Sequence, residues 1–202
     1  MGFLTMINTS KTVQPIKSLA DIGKIKNYLL KTEQHRNYML FIMGINIGLR
    51  ISDLLSLKIS DVWADGKCHS AIEITEQKTK KHRKIAINGA VEFSINKYLN
   101  SLKSFNENDW LFSSRKHNQA LTKQSAHRLI NQIMADCNIN GHWGTHTLRK
   151  TFAYQLYMNN SENPLILPYL MKLLNHSSQS MTLRYIGIEQ QELNNLVENL
   201  NL

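Results

Sequence analysis

Residues 71–87 read AIEITEQKTKKHRKIAI, and the fold class turns on them. Ile72 and Ile74 alternate with Glu73 and Thr75, and Ile85 and Ile87 flank Ala86. That is a hydrophobic period of two, the period of a strand with one buried face. Between the two runs lies Lys78-Thr79-Lys80-Lys81-His82-Arg83-Lys84, of whose seven residues five are Lys or Arg. The stretch predicts an antiparallel β-hairpin with a strongly basic tip.

On both sides of the hairpin the period turns helical. Upstream, Leu19, Ile22, Ile25 and Leu29 share one face, with lysines on the other. His35 to Leu49 is apolar nearly all round and predicts a buried helix, and a short third helix follows over Ile51 to Leu57. Downstream, Val91, Ile95, Tyr98, Leu99 and Leu102 form one stripe. Ala126, Leu129, Ile130, Ile133, Met134 and Cys137 form a second, with Thr122 placed to cap its start. Gly141 and Gly144 interrupt before a helix that starts near Thr147 and turns Leu148, Phe152 and Leu156 inward. Pro164 and Pro168 mark a further helix start, running to about Leu174. Leu193, Leu196, Val197 and Leu200 recur at helical spacing in the tail. The chain shows no internal repeat and no linker rich in Gly, Pro or Ser. The expectation is an α+β, mostly α-helical domain carrying a small antiparallel sheet. Residues 1–14 read as a flexible leader, 15–188 as the domain, and 189–202 as an amphipathic helical tail.

Composition narrows the function classes. The chain has 202 residues, 42% of them hydrophobic, enough for a sizeable core. Its formal net charge of +9 favours a polyanionic partner, nucleic acid first. The two cysteines, Cys68 and Cys137, make no disulfide framework and fit a reducing cytosol. The start, Met1 to Met6, has neither a basic leader nor a long apolar core, and Met6 breaks the myristoylation pattern. The longest apolar stretch, Tyr38 to Leu49, is too short to span a bilayer and holds Asn46. A cytoplasmic protein with no membrane partner is expected.

Three clusters carry candidate chemistry. The first is His146-Thr147-Leu148-Arg149 at a helix start, where a spacing of three puts His146 and Arg149 near one face. Free N–H groups and the positive dipole end make that place a natural phosphate seat. The second is Gly48-Leu49-Arg50-Ile51-Ser52-Asp53, in which an arginine amid apolar sequence needs a partner or ligand. Asp53, three residues on, is placed to hold that guanidinium. The third runs from Leu174-Asn175-His176 to Thr182-Leu183-Arg184-Tyr185. Singly, each has an ordinary structural explanation: a surface pair, an ion pair stitching two helices, a half-buried aromatic. A zinc site from Cys137, His142 and His146 lacks the fourth ligand that a structural site wants.

Taken in order, the clusters resemble the catalytic domain of the tyrosine recombinase (phage integrase) family. That pattern has an arginine in a Gly-Leu-Arg segment, a lysine on a β-hairpin and a His-x-x-Arg. A His or Trp follows, then a tyrosine about nine residues further on. Here Arg50 matches the first arginine, Asp53 the acidic residue beside it, and Lys78 the hairpin lysine, with Lys80 and Lys81 competing for that role. His146 and Arg149 match the pair, His176 the second histidine, and Tyr185 the nucleophile. Asn175 departs from the pattern, standing where the family usually has glycine. The resemblance covers roughly residues 14 to 190.

The resemblance implies a site-specific recombinase or integrase that integrates, excises or inverts DNA through a 3′-phosphotyrosine. Two arginines would stabilise charge on the nonbridging oxygens, and His176 would add a hydrogen bond to the phosphate. Arginines and His146 would help Tyr185 lose its proton, and Lys78 would protonate the leaving 5′-oxygen. Bond energy stays in the ester, so no cofactor, ATP or metal is called for, and no small-molecule substrate. Lys80, Lys81, Arg83 and Lys84 are candidate DNA contacts. Expected partners are double-stranded DNA and further copies of the chain, as dimer or tetramer on DNA, in a bacterial or phage-encoded, nucleoid-associated setting. Two alternatives stay open: a catalytically silent DNA-binding or regulatory remnant, and an activity like that of a type IB topoisomerase.

Overall fold

In the computed structural model, residues 12–114, 119–188 and 197–200 are described. Helix α1 (Leu19–Lys31) begins at Ser18, whose hydroxyl accepts from the Asp21 N–H at 3.1 Å. Helix α2 (His35–Ile47) buries Tyr38 through Met43, as its all-round apolarity requires. Helix α3 (Ile51–Leu55) is two residues shorter than expected, and a 3-10 turn at Ile59–Asp61 follows. Strands β1 (Trp63–Ala64) and β2 (Lys67–Cys68) pair across Asp65-Gly66, both at positive φ. They were not legible beforehand because two residues cannot show an alternation.

The predicted hairpin is strands β3 (Ala71–Thr75) and β4 (His82–Ala86), antiparallel, with Ile72 opposite Ile85 and Ile74 opposite Arg83. Helix α4 (Gly89–Leu99) is capped by Asn88, and α5 (Lys123–Asp136) by Thr122, the cap expected for it. Helix α6 (Thr145–Met158) starts two residues earlier than expected, and the Thr147 hydroxyl accepts from the Gly144 N–H at 3.2 Å. Helix α7 (Ile166–Leu174) carries Pro168 in its first turn, where an N–H is not needed. Helix α8 (Gln179–Ile186) had no sequence expectation: it is barely two turns long, with Ser178 as its cap.

Two cores result. The larger gathers Ile25 and Leu29 of α1, most of α2, Ile72 of β3, Val91 and Ile95 of α4, and Ile130, Ile133 and Met134 of α5. The smaller holds Ala153, Ile166, Leu170, Leu174 and Ile186. Helix α6 belongs to both, through Leu148 on one side and Ala153 on the other. Two glycines let α2 approach it. A methyl group on Gly44 would come within 2.5 Å of Leu148 Cδ1, and one on Gly48 within 2.3 Å of the Phe152 ring. Gly48 also takes φ +67°, the left-handed cap that ends α2.

The chain ahead of α1 is already docked where the structure begins to describe it. The Gln14 N–H donates to His142 O, and the Ile16 N–H donates to Thr151 Oγ1 at 2.8 Å. Of the tail stripe, Leu193 and Leu196 lie outside the described residues, and Val197 and Leu200 are exposed.

Candidate active site

Arg50 stands at the corner between α2 and α3, where left-handed Gly48 has just turned the chain. The carboxylate that holds it is Glu76, not the expected Asp53. Arg50 Nη1 donates to Glu76 Oε2 at 2.8 Å, with side chains 18% and 3% exposed. Asp53 is fully buried and turns instead to the hairpin, where its Oδ1 accepts from the Gln77 N–H at 2.9 Å. Proximity in sequence misled here: one turn of α3 aims Asp53 at the strand end, while the hairpin delivers its own acid to the guanidinium.

Glu76 collects three donors. Besides Arg50, its Oε1 accepts from Arg83 Nη1 at 2.8 Å and its Oε2 from Thr79 Oγ1 at 2.5 Å. Burial alone would raise its pKa, but the hydrogen bonds from Thr79, Arg83 and Arg50 hold it down to about 2. The turn closes around the same residue, since Lys80 N–H donates to Glu76 O and Glu76 N–H to Lys81 O. Lys78 sits exposed on this turn, and its charge is felt at His146. Lys80 is exposed at φ +56°. Lys81 Nζ reaches Asn175 Oδ1 at 2.5 Å, and Lys84 Nζ reaches Glu73 Oε1 at 2.7 Å. Arg83 is turned inward to Glu76, unlike the lysines around it.

The other half of the cluster rides on α6, α7 and α8. Arg149 is 4% exposed. Its Nη1 donates to Gly48 O and its Nη2 to Leu174 O at 3.1 Å. These carbonyls belong to the C-terminal ends of α2 and α7, where unpaired oxygens and negative dipole ends gather, so no carboxylate is needed. His146, one turn before Arg149, opens to solvent from the first turn of α6. Lost hydration, then the charges of Arg149, Lys150, Arg50 and Lys78, hold it below the usual histidine range.

Helix α7 ends on Asn175, at φ 58° and ψ 49°. Asparagine thus takes up the left-handed conformation that a glycine would adopt without strain. His176 follows, its Nδ1 3.1 Å from Thr182 Oγ1 and its ring edge-on to Tyr185 at 5.0 Å between centroids. Burial, then Arg149 and Arg50, lowers its pKa also. Tyr185 lies on α8 with its hydroxyl buried, in no well-aligned hydrogen bond but within reach of the Arg149 guanidinium. Burial raises its pKa, against the pull of Arg149 and Arg50, whose charges favour the phenolate. Lys150 Nζ stands 5.3 Å from the centre of its ring.

The structure thus places His146, His176 and Tyr185 each within electrostatic reach of both Arg50 and Arg149, with Lys78 within reach of His146. Sequence reasoning passed over Glu76. Its signal was present: Glu76, the residue after β3, keeps the inward phase of positions 72 and 74, and an acid there must find cations.

The model of the phage integrase family matches residues 14–192. A curated relative, the probable integrase/recombinase YoeC of Bacillus subtilis (strain 168), is 43% identical over 178 residues, covering 88% of this chain and 91% of its own. A tyrosine recombinase of Pseudothermotoga lettingae is 26% identical over 199 residues, covering 94% of this chain and 66% of its own. The chain therefore spans nearly all of the first relative and just under two-thirds of the second. Among solved structures, XerA recombinase superposes with a TM-score of 0.71 at 21% identity, over 95% of this chain and 67% of that one. XerH recombinase bound to its palindromic difH substrate, in a post-cleavage complex, gives 0.67 at 21% identity, over 92% and 53%.

Proposed function

The chain belongs to the phage integrase family, that of the tyrosine recombinases, and we propose that it is a DNA strand transferase that cuts and rejoins double-stranded DNA through Tyr185. The observation that carries this reading is the Tyr185 hydroxyl: buried, within reach of the Arg149 guanidinium and held in the field of two arginines. A tyrosine serving only as core filling has no need of two cations at its hydroxyl.

In the proposed reaction a backbone phosphate enters between Arg50 and Arg149. Tyr185 Oη attacks phosphorus, the bond from phosphorus to the 5′-oxygen breaks, and a 3′-phosphotyrosine forms. His146, neutral because its pKa is lowered, accepts the phenol proton. The two arginines stabilise charge on the nonbridging oxygens. The contact with Thr182 Oγ1 orients the His176 ring, and in the tautomer that carries its proton on Nε2 the ring donates to the phosphate. Lys78 protonates the departing 5′-oxygen. Attack by a second 5′-hydroxyl reverses these steps and rejoins the strands.

We assign this chemistry to residues 15–188, with 1–14 a leader and 189–202 a tail. The exposed basic residues Lys80, Lys81 and Lys84 would lie along the DNA backbone, and copies of the chain would assemble on DNA as dimers or tetramers. Among the described residues no helix is long and apolar enough to cross a membrane, and a cytoplasmic site of action goes with a DNA substrate.

The test is a nicked suicide duplex from the DNA flanking the protein's own gene, which loses its short leaving strand on cleavage. The wild type should trap a denaturant-resistant protein–DNA adduct and Tyr185→Phe none. An adduct of normal yield from Tyr185→Phe would sink the assignment, and none from either protein would sink the strand-transfer reading.

A further inference from the structure

We infer that Glu76 is a positioning residue, whose carboxylate locks Arg50 and the Lys78 turn into one preorganised unit; this rests on the strand-transfer function proposed above. The geometry is specific to that task. One oxygen of Glu76 takes Arg50 and Thr79, and the other takes Arg83 from β4. The backbone of Glu76 closes both ends of the turn. Lys78 is therefore flanked by two pinned neighbours, Gln77 on Asp53 and Thr79 on Glu76, while its own side chain stays exposed.

A stabilising ion pair alone would not need this arrangement. Buried ion pairs are often no better for stability than well-packed apolar residues. What the carboxylate does supply is direction. An arginine side chain is long and flexible, and a phosphate clamp works only when its fork is held close to the productive geometry. Glu76 uses one nitrogen of the fork and leaves the others for a phosphate. Formal charge stays favourable as well: one carboxylate between two guanidiniums leaves a net positive unit. The same contact ties the arginine to the turn that carries the proton donor, so both approach the scissile phosphate in a fixed relation.

The experiment measures single-turnover adduct formation on the suicide duplex, for ordinary phosphate and for a methylphosphonate at the scissile position. The methyl group removes the anionic charge that Arg50 must meet, so any defect acting through Arg50 shrinks on that substrate. Glu76→Gln should slow the ordinary substrate by about 10- to 100-fold, the scale of a misplacement near 1 Å. Its deficit should shrink on the methylphosphonate as that of Arg50→Ala does. The double variant should be no slower than Arg50→Ala alone. A wild-type rate for Glu76→Gln overturns the inference, and so does a deficit equal on both substrates. If Glu76→Gln does not fold, Arg83→Met replaces it. That variant keeps the Arg50–Glu76 contact but removes its anchor on β4, and should show a smaller deficit with the same substrate dependence. No deficit, or one equal on both substrates, overturns the inference there too. A wild type that forms no adduct sinks the strand-transfer reading and this inference with it; an active wild type matched by the variants sinks the inference alone.

Discussion

Arg50 and Arg149 lie within each other's electrostatic reach and are held by opposite means. Arg50 leans on a carboxylate that it shares with Arg83 and Thr79. Arg149 is more deeply buried, and two carbonyls at the ends of α2 and α7 hold it without any formal countercharge. The difference separates the two halves of the site. The hairpin half is charge-compensated and fixed by side chains that titrate. The tyrosine half keeps its full positive charge, fixed by backbone that never titrates. A phosphate bound as proposed would meet one arginine that is aimed and one that is undiluted.

The largest effect tests the hairpin half. General acids typically contribute about 10²- to 10⁴-fold, and Lys78→Ala should lose rate on that scale with ordinary DNA. A sulfur in place of the bridging 5′-oxygen leaves as a thiolate, whose conjugate acid has a pKa of about 8.5. On that substrate Lys78→Ala should cleave at nearly the wild-type rate. If Lys80→Ala or Lys81→Ala shows the rescue instead, another lysine of the turn is the donor.

Next come the arginines themselves. Arg50→Ala and Arg149→Ala should each lose on the order of 10²- to 10³-fold in cleavage, with or without sulfur. Stability should distinguish them. Arg149→Ala strands the carbonyls of Gly48 and Leu174, at about 1–3 kcal/mol for each that water cannot reach. Arg50→Ala leaves Glu76 with Arg83 and Thr79. Thermal unfolding should place Arg149→Ala below Arg50→Ala, and the reverse order would break the comparison.

Acid separates the halves in another way. His146 and His176 are depressed in the fold, so the stability they contribute is full above about pH 6.5, the unfolded value, and falls as pH drops below it. Glu76 is held at about 2, against about 4.3 in the unfolded chain. Its contribution, on the order of 3 kcal/mol, is full above about pH 5 and is lost towards pH 2. Denaturant titrations across pH should show Glu76→Gln flattening chiefly the lower window, and His146→Asn with His176→Asn chiefly the upper. An upper-window change from Glu76→Gln as large as that of the histidine pair would break this division, because Arg50 is only one of the charges that depress the two histidines.

The smallest effect lies within the hairpin, between outward and inward charge. Each phosphate contact contributes about 0.9 to the slope of log affinity against log salt. The pair Lys80→Ala and Lys81→Ala should flatten the slope by up to about two such contributions. Arg83→Met should leave it unchanged, because that guanidinium is spent on Glu76. Equal flattening by both would show that Arg83 swings out to DNA.

By itself the sequence determined whatever rests on local periodicity and on the order of chemical groups. The alternation in 71–87 fixes the hairpin, and the stripes at 91–102 and 126–137 fix α4 and α5. Caps at Ser18, Asn88 and Thr122 set helix starts, because a short polar side chain reaches an N–H only a few residues on. The order of Arg50, Lys78, His146, Arg149, His176 and Tyr185 carries the family resemblance. Tertiary structure decided what holds each of them. Glu76 rather than Asp53 takes Arg50, since strand phase and helix direction, not distance along the chain, aim a side chain. Arg149 rests on Gly48 O and Leu174 O, and carbonyls look alike in every residue, so only the close approach of α2, α6 and α7 could select those two. The same packing buries the Tyr185 hydroxyl in the field of two arginines, which turns a common residue into a candidate nucleophile.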